Sequence, residues 1–281
     1  MHPTIGGLEA NQEAALHECI ARRRMNAGLW LDAFFHPQHA DPEKISAMQP
    51  ASNPATLRTA NVITTRDAWY RQIPQRLRAN FLMKSVGTTA YFCVFFFAYF
   101  YLMRHPNSAV TVMPVTAIDA LIGFQPLALI PYLSLWIYVS LPAAIILKRR
   151  ELIGYGWWLA GLCVAGLACF YFWPTTVSVP TEEWRKHASF SILLGVDAAA
   201  NACPSMHVAV AIFSACWLGH SLRDLGAPVR LRIVNWIWVI AIAYSTMAIK
   251  QHVFIDVVVG LALGLAFALP SIRYRRGQNS D

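Results

Sequence analysis

Two histidines and one aspartate stand where an apolar chain has little use for them. His207 falls in Cys203-Pro204-Ser205-Met206-His207 at the head of one apolar run, and His252 and Asp256 stand at the head of another. Titratable side chains are costly in such runs and mark functional sites. Asp256 follows His252 by four residues, a spacing that puts both on one face of a helix. A carboxylate one turn from an imidazole accepts its N–H, fixes the tautomer and leaves the other ring nitrogen with a free lone pair. Ser205 lies two residues before His207, with Pro204 just ahead of it, where a helix is expected to begin. A hydroxyl, unpaired backbone N–H groups and the positive end of the helix dipole together attract an anion. These parts suit phosphoryl transfer. One imidazole attacks phosphorus; the second protonates the leaving oxygen and then takes a proton from the acceptor. That chemistry calls for no metal and no cofactor, and the six cysteines form no CxxC pair, zinc pattern or disulfide framework.

The elements that must carry these groups are membrane helices. Of 281 residues, 56% are hydrophobic and only 14% charged, well below the ~25% of a soluble domain. The fold class that follows is all-α, a polytopic bundle of six spans: Ser85–Met103, Ala120–Leu147, Tyr155–Trp173, Ala198–Leu222, Ile233–Ile249 and His252–Ile272. The net charge of +8 sits in the apolar part, since residues 1–60 are net −1, and this argues for a bilayer partner and against nucleic acid. With the N-terminus inside, fourteen Lys and Arg flank the spans on the cytoplasmic side. Only Arg104, Arg185, Lys186 and Lys250 flank them on the other. Both termini are therefore expected in the cytoplasm, and His207, His252 and Asp256 share the outer face. Residues 1–80 read as a cytoplasmic extension ending in a basic interfacial helix over Trp69–Lys84, 81–274 as the catalytic six-helix domain, and 275–281 as a short tail. Gly260 and Gly264 continue the His252–Asp256 stripe and allow a neighbouring helix to approach closely. A substrate slot is expected to open sideways to lipid between the third, fourth and sixth spans. His105, His187 and His220 read as ordinary interfacial residues.

Pro204-Ser205-Met206-His207, followed by Ser245, His252 and Asp256 at the spacing Ser-x6-His-x3-Asp, resembles the second and third signatures of the type-2 phosphatidic acid phosphatase superfamily. The resemblance covers roughly residues 80–272. It implies a six-helix core and a lipid phosphatase or phosphotransferase. It further implies His252 as nucleophile, Asp256 as its orienting partner, His207 as general acid–base, and Ser205 and Ser245 as phosphate contacts. The superfamily's first signature, K-x6-R-P, is absent, and Thr246 stands where its third signature has Arg. Two cradle cations are thus missing; Lys250, or Arg185, Lys186 and His187, are candidate replacements. The run Tyr244-Ser245-Thr246-Met247 with His252-Val253-Phe254-Ile255-Asp256 looks more like the inositol phosphorylceramide synthase branch. That branch moves a phospho-headgroup between lipids. The expected substrate is therefore a phospholipid or polyprenyl phosphate, with the reading tilted towards transfer, in a membrane that the compact chain suggests is a bacterial inner membrane. An alternative of another class is a non-catalytic transporter or haem-binding subunit with His207 and His252 as ligands; it gives the Pro204-Ser205 pair no role.

Overall fold

The computed structural model describes residues 69–178, 184–190, 193 and 201–280. The chain divides by contacts into residues 1–65 and 66–281. The first unit lies outside the described residues.

The basic stretch ahead of the first span is not one helix. A 3-10 turn over Trp69–Gln72 leads into α1, Ile73–Arg78, which ends before Asn80 at φ 55°. This left-handed residue turns the chain into α2, Phe81–Arg104, which starts one turn earlier than the apolar run alone suggests. Lys84 is the reason an ammonium is tolerated there: it is buried, and its Nζ donates to the carbonyls of Arg76 and Ala144 at 2.6 and 2.8 Å.

The expected second span is divided. It comprises α3 (Ala117–Leu121), a 3-10 turn over Pro126–Ala128, α4 (Leu129–Tyr138) and α5 (Leu141–Ile145). Pro126 and Pro142 each fall in the first turn of a new segment, where proline's missing N–H does least harm. Pro142 leaves the Tyr138 carbonyl without its ladder partner, which separates α4 from α5.

Among the described residues, four helices are long and apolar enough to cross a bilayer: α2; α6, Arg149–Phe172; α8, Val229–Ala248; and α9 over Phe254–Arg275, its apolar part. The chain thus has the character of an integral membrane protein. Helix α7, Met206–Asp224, carries His207, His220, Arg223 and Asp224 and is the most enclosed. It packs on α4, α5, α6, α8 and α9. Helix α9 continues to Ser280 with Pro270 inside it.

Polar contacts pin the bundle where apolar lipid offers no drive for association. The Tyr138 hydroxyl donates to Asn235 Oδ1 at 2.6 Å, and Asn235 Nδ2 donates to the Ala215 carbonyl at 3.1 Å, tying α4, α8 and α7. At the C-terminal end of α7, Arg275 of α9 pairs with Glu151 of α6 and with Asp224, and lies 5.3 Å from the Trp217 ring. Two short parallel strands, β1 (Thr111–Val112) and β2 (Thr175–Thr176), join the loops after α2 and α6. Thr175 bridges onward to Asn201, just ahead of α7.

Helices α7 and α9 pack most closely of all. A Cβ on Gly264 would lie 2.6 Å from the Ala209 carbonyl oxygen, and one on Gly260 would collide with the Ser205 carbonyl. An exposed helical Gly→Ala exchange ordinarily gains about 1 kcal/mol. Here the sign reverses: Gly264→Ala is expected to destabilise by about 1–3 kcal/mol through overpacking, read as a lower unfolding midpoint in detergent.

Candidate active site

The heads of α7 and α9 meet at one point. The Ser205 amide donates to the Asp256 carbonyl at 3.0 Å, and the Ser205 hydroxyl caps α7 by accepting from Val208 N–H at 3.5 Å. Both helix N-termini, with the positive ends of their dipoles, therefore lie together. His207 sits in the first turn of α7, and His252 just precedes α9. Their ring centroids are 5.8 Å apart at 60°.

Asp256 is fully buried. Its Oδ2 lies 3.5 Å from His252 Nδ1 and accepts the Val253 amide at 3.0 Å. A 3.5 Å separation is longer than a closed hydrogen bond, and catalytic contacts of this kind shorten when substrate is bound. The His207 ring stacks on Tyr132 at 4.5 Å and meets Trp136 edge-on at 5.6 Å. Its Nε2 is buried and has no hydrogen-bond partner among the described residues. Both imidazoles line a cavity of about 460 Å³ that runs beside α2, α4 and α6, within the usual range for a small-molecule site.

The cavity has the third and fourth spans, α6 and α7, among its walls as expected, but the helix of the sixth span is not one of them. It lies on the α2–α4–α6 side of α7 and takes no wall from the α9 helix. Gly260 and Gly264 account for this: they let α9 close onto α7 and leave no gap there.

Of the expected phosphate contacts, three are placed differently from the imidazoles. Ser205 is fully buried as the cap of α7. Ser245 is fully buried, and its hydroxyl donates back to the Ile242 carbonyl at 2.6 Å, a common occupation for serine in an apolar helix. Lys250, at φ 64°, turns its ammonium away to the carbonyls of Asp119, at 3.0 Å, and Ile122. Those oxygens belong to the last turn of α3, where carbonyls lack helical partners and attract a cation. None of the three lines the cavity.

Sequence reasoning passed over Asp119. Its Oδ2 accepts from the Thr116 amide and hydroxyl at 2.8 and 2.7 Å, and its Oδ1 accepts from the Phe254 amide at 2.7 Å. One buried carboxylate thus caps α3 and holds the start of α9, beside His252. The spacing Thr116-x-x-Asp119 is the signal that could have found it. Tyr132 and Trp136, the platform under His207, carried no signal beyond aromatic content. Among the described residues no group of three or more His, Cys, Asp or Glu could hold a metal ion.

The PAP2 superfamily model matches residues 152–280. The matched stretch begins inside α6 and contains His207, His252 and Asp256, and stops short of α2 to α5. Over it the chain is similar to that superfamily, which suggests a membrane-type lipid phosphatase or phosphotransferase. No curated protein and no solved structure matches the chain.

Proposed function

We propose that the chain is a membrane lipid phosphatase or phosphotransferase working through a phosphohistidine on His252, with headgroup transfer favoured over hydrolysis. The observation that carries this reading is the pair of imidazoles 5.8 Å apart at one end of an apolar cavity, one of them backed by Asp256. With Nδ1–H directed to Asp256, His252 Nε2 attacks phosphorus; the N–P bond forms as the P–O bond to the lipid alcohol breaks. His207 gives its proton to the departing oxygen. An acceptor hydroxyl then attacks, the N–P bond breaks, and His207 takes the acceptor's proton. Two helix N-termini at the same point offset the phosphate charge.

The tilt towards transfer rests on charge. Among the described residues the cavity wall includes one cation, Lys84, and it lies near the start of α2, at the opposite end from the imidazoles. A phosphodiester, with a single negative charge, suits that setting better than a dianionic monoester. We further propose the six-span topology with both termini cytoplasmic and the histidines on the outer face, α4–α5 and α7 completing the four long helices. In this reading Ser205 acts through the helix start it caps, Ser245 supports α8, and Lys250 positions the turn before His252.

His207→Ala is expected to lower turnover by about 10²–10⁴-fold, the usual contribution of a general acid–base. The reading is tested by supplying labelled phosphatidylinositol, phosphatidic acid and undecaprenyl diphosphate, with and without ceramide or diacylglycerol, and identifying products by mass spectrometry. A new phospholipid made only when the hydroxylated lipid is present supports transfer. Release of inorganic phosphate regardless of acceptor supports hydrolysis. Unchanged substrates under every condition refute both.

A further inference from the structure

The cavity is far longer than a phosphate needs. One face of α2 lines it along almost the whole helix, from Met103 down to Lys84. The rings of Phe96 and His207 both pack on Trp136, with centroids 5.0 and 5.6 Å away, so Phe96 marks the level of the histidines. Gly87 lies nine residues before it, about 14 Å along the helix axis. That is close to the depth of one leaflet, half of a ~30 Å hydrocarbon core. At the far end Lys84 closes the groove, held by the Arg76 and Ala144 carbonyls.

Two glycines line the cavity near that floor. Gly87 of α2 and Gly156 of α6 both line the cavity, and a Cβ built on either meets nothing within 4 Å. They differ from Gly260 and Gly264, which are needed for helix contact. The absence of side chains at Gly87 and Gly156 keeps the deep end open.

We propose that this groove holds one hydrocarbon tail of the lipid substrate in extended form, and that Gly87 and Gly156 set the tail length it accepts. This rests on the lipid-substrate reading above. The occupant follows from continuity: the groove and the histidines share one cavity, so the tail attached to a phosphate at His252 has this apolar channel directly beneath it. Each methylene denied burial costs roughly fourfold in binding.

The test uses the full-length protein in nanodiscs. Phosphatidylinositol and phosphatidic acid, each with dioctanoyl, dilauroyl or distearoyl tails, are assayed with ceramide or diacylglycerol supplied as acceptor against wild type, Gly156→Phe and Gly87→Phe. In wild type, KM is expected to fall from dioctanoyl to dilauroyl, whose extended tail fills about 14 Å, and then to level off. In either variant, KM for the distearoyl donor rises about tenfold or more while dioctanoyl turnover is unchanged. Two variants on different helices keep the test decisive if one fails to fold. An equal loss at all tail lengths, or an unchanged length preference in a folded, active variant, overturns the proposal. So does loss of a co-purified bilayer lipid without any shift in substrate preference, which would make the groove a structural lipid site. No turnover of any donor by wild type refutes the lipid-substrate reading itself, and the tail assignment with it.

Discussion

Replacing His252 with alanine is expected to lower kcat by about 10⁶-fold, the scale of removing a covalent nucleophile, in protein that still inserts and folds. The expectation of intact folding has a structural basis. His252 precedes α9, and among the described residues its Nδ1 makes no closed hydrogen bond. The α9 start is held by other groups: the Val253 amide on Asp256, the Phe254 amide on Asp119, and the Ser205 amide on the Asp256 carbonyl. Loss of the imidazole therefore removes chemistry and leaves the helix anchored. Gel filtration and thermal unfolding of the variant should match wild type while product formation vanishes.

Asp256→Asn should lower kcat by about 10²–10³-fold with little change in KM. The change preserves volume in a fully buried site. The Val253 amide and His252 Nδ1 face the same carboxylate oxygen, Oδ2, so asparagine's carbonyl oxygen takes that place and keeps both contacts. What is lost is the negative charge that stabilises the ring as it becomes positive on attacking phosphorus. KM changes little because ring position and substrate contacts are kept. Asp256→Glu at the same position would overpack the junction with Ser205 and lose stability as well, which separates the two roles.

The chemistry was more legible in the sequence than the machinery around it. Two histidines and an aspartate at the heads of apolar runs are conspicuous because burial of such groups is costly. The i, i+4 spacing of His252, Asp256, Gly260 and Gly264 could be read as one face, since helix geometry is local. Lys250 illustrates the limit. Its nearness to His252 along the chain suggested a phosphate ligand, yet a left-handed backbone turn points its ammonium at Asp119 and Ile122, about 130 residues earlier. Ser245 shows the same limit, since a hydroxyl in an apolar helix has a local carbonyl within reach. The division of the second span was signalled by Pro126 and Pro142, but the apolar run across them was long enough to conceal it. The cavity's place depends on which helix pair closes most tightly, and that is set by α7 against α9, across 50 residues of sequence.

The most direct test of the central claim is to trap the intermediate. Purified protein is mixed with a donor radiolabelled at phosphorus, quenched in strong base, in which a phosphoramidate survives, and mapped by mass spectrometry of peptides. The account predicts label on His252, lost on brief acid treatment and absent from His252→Ala. Label on His207 or on a serine, or turnover with no labelled histidine at any time, would contradict it.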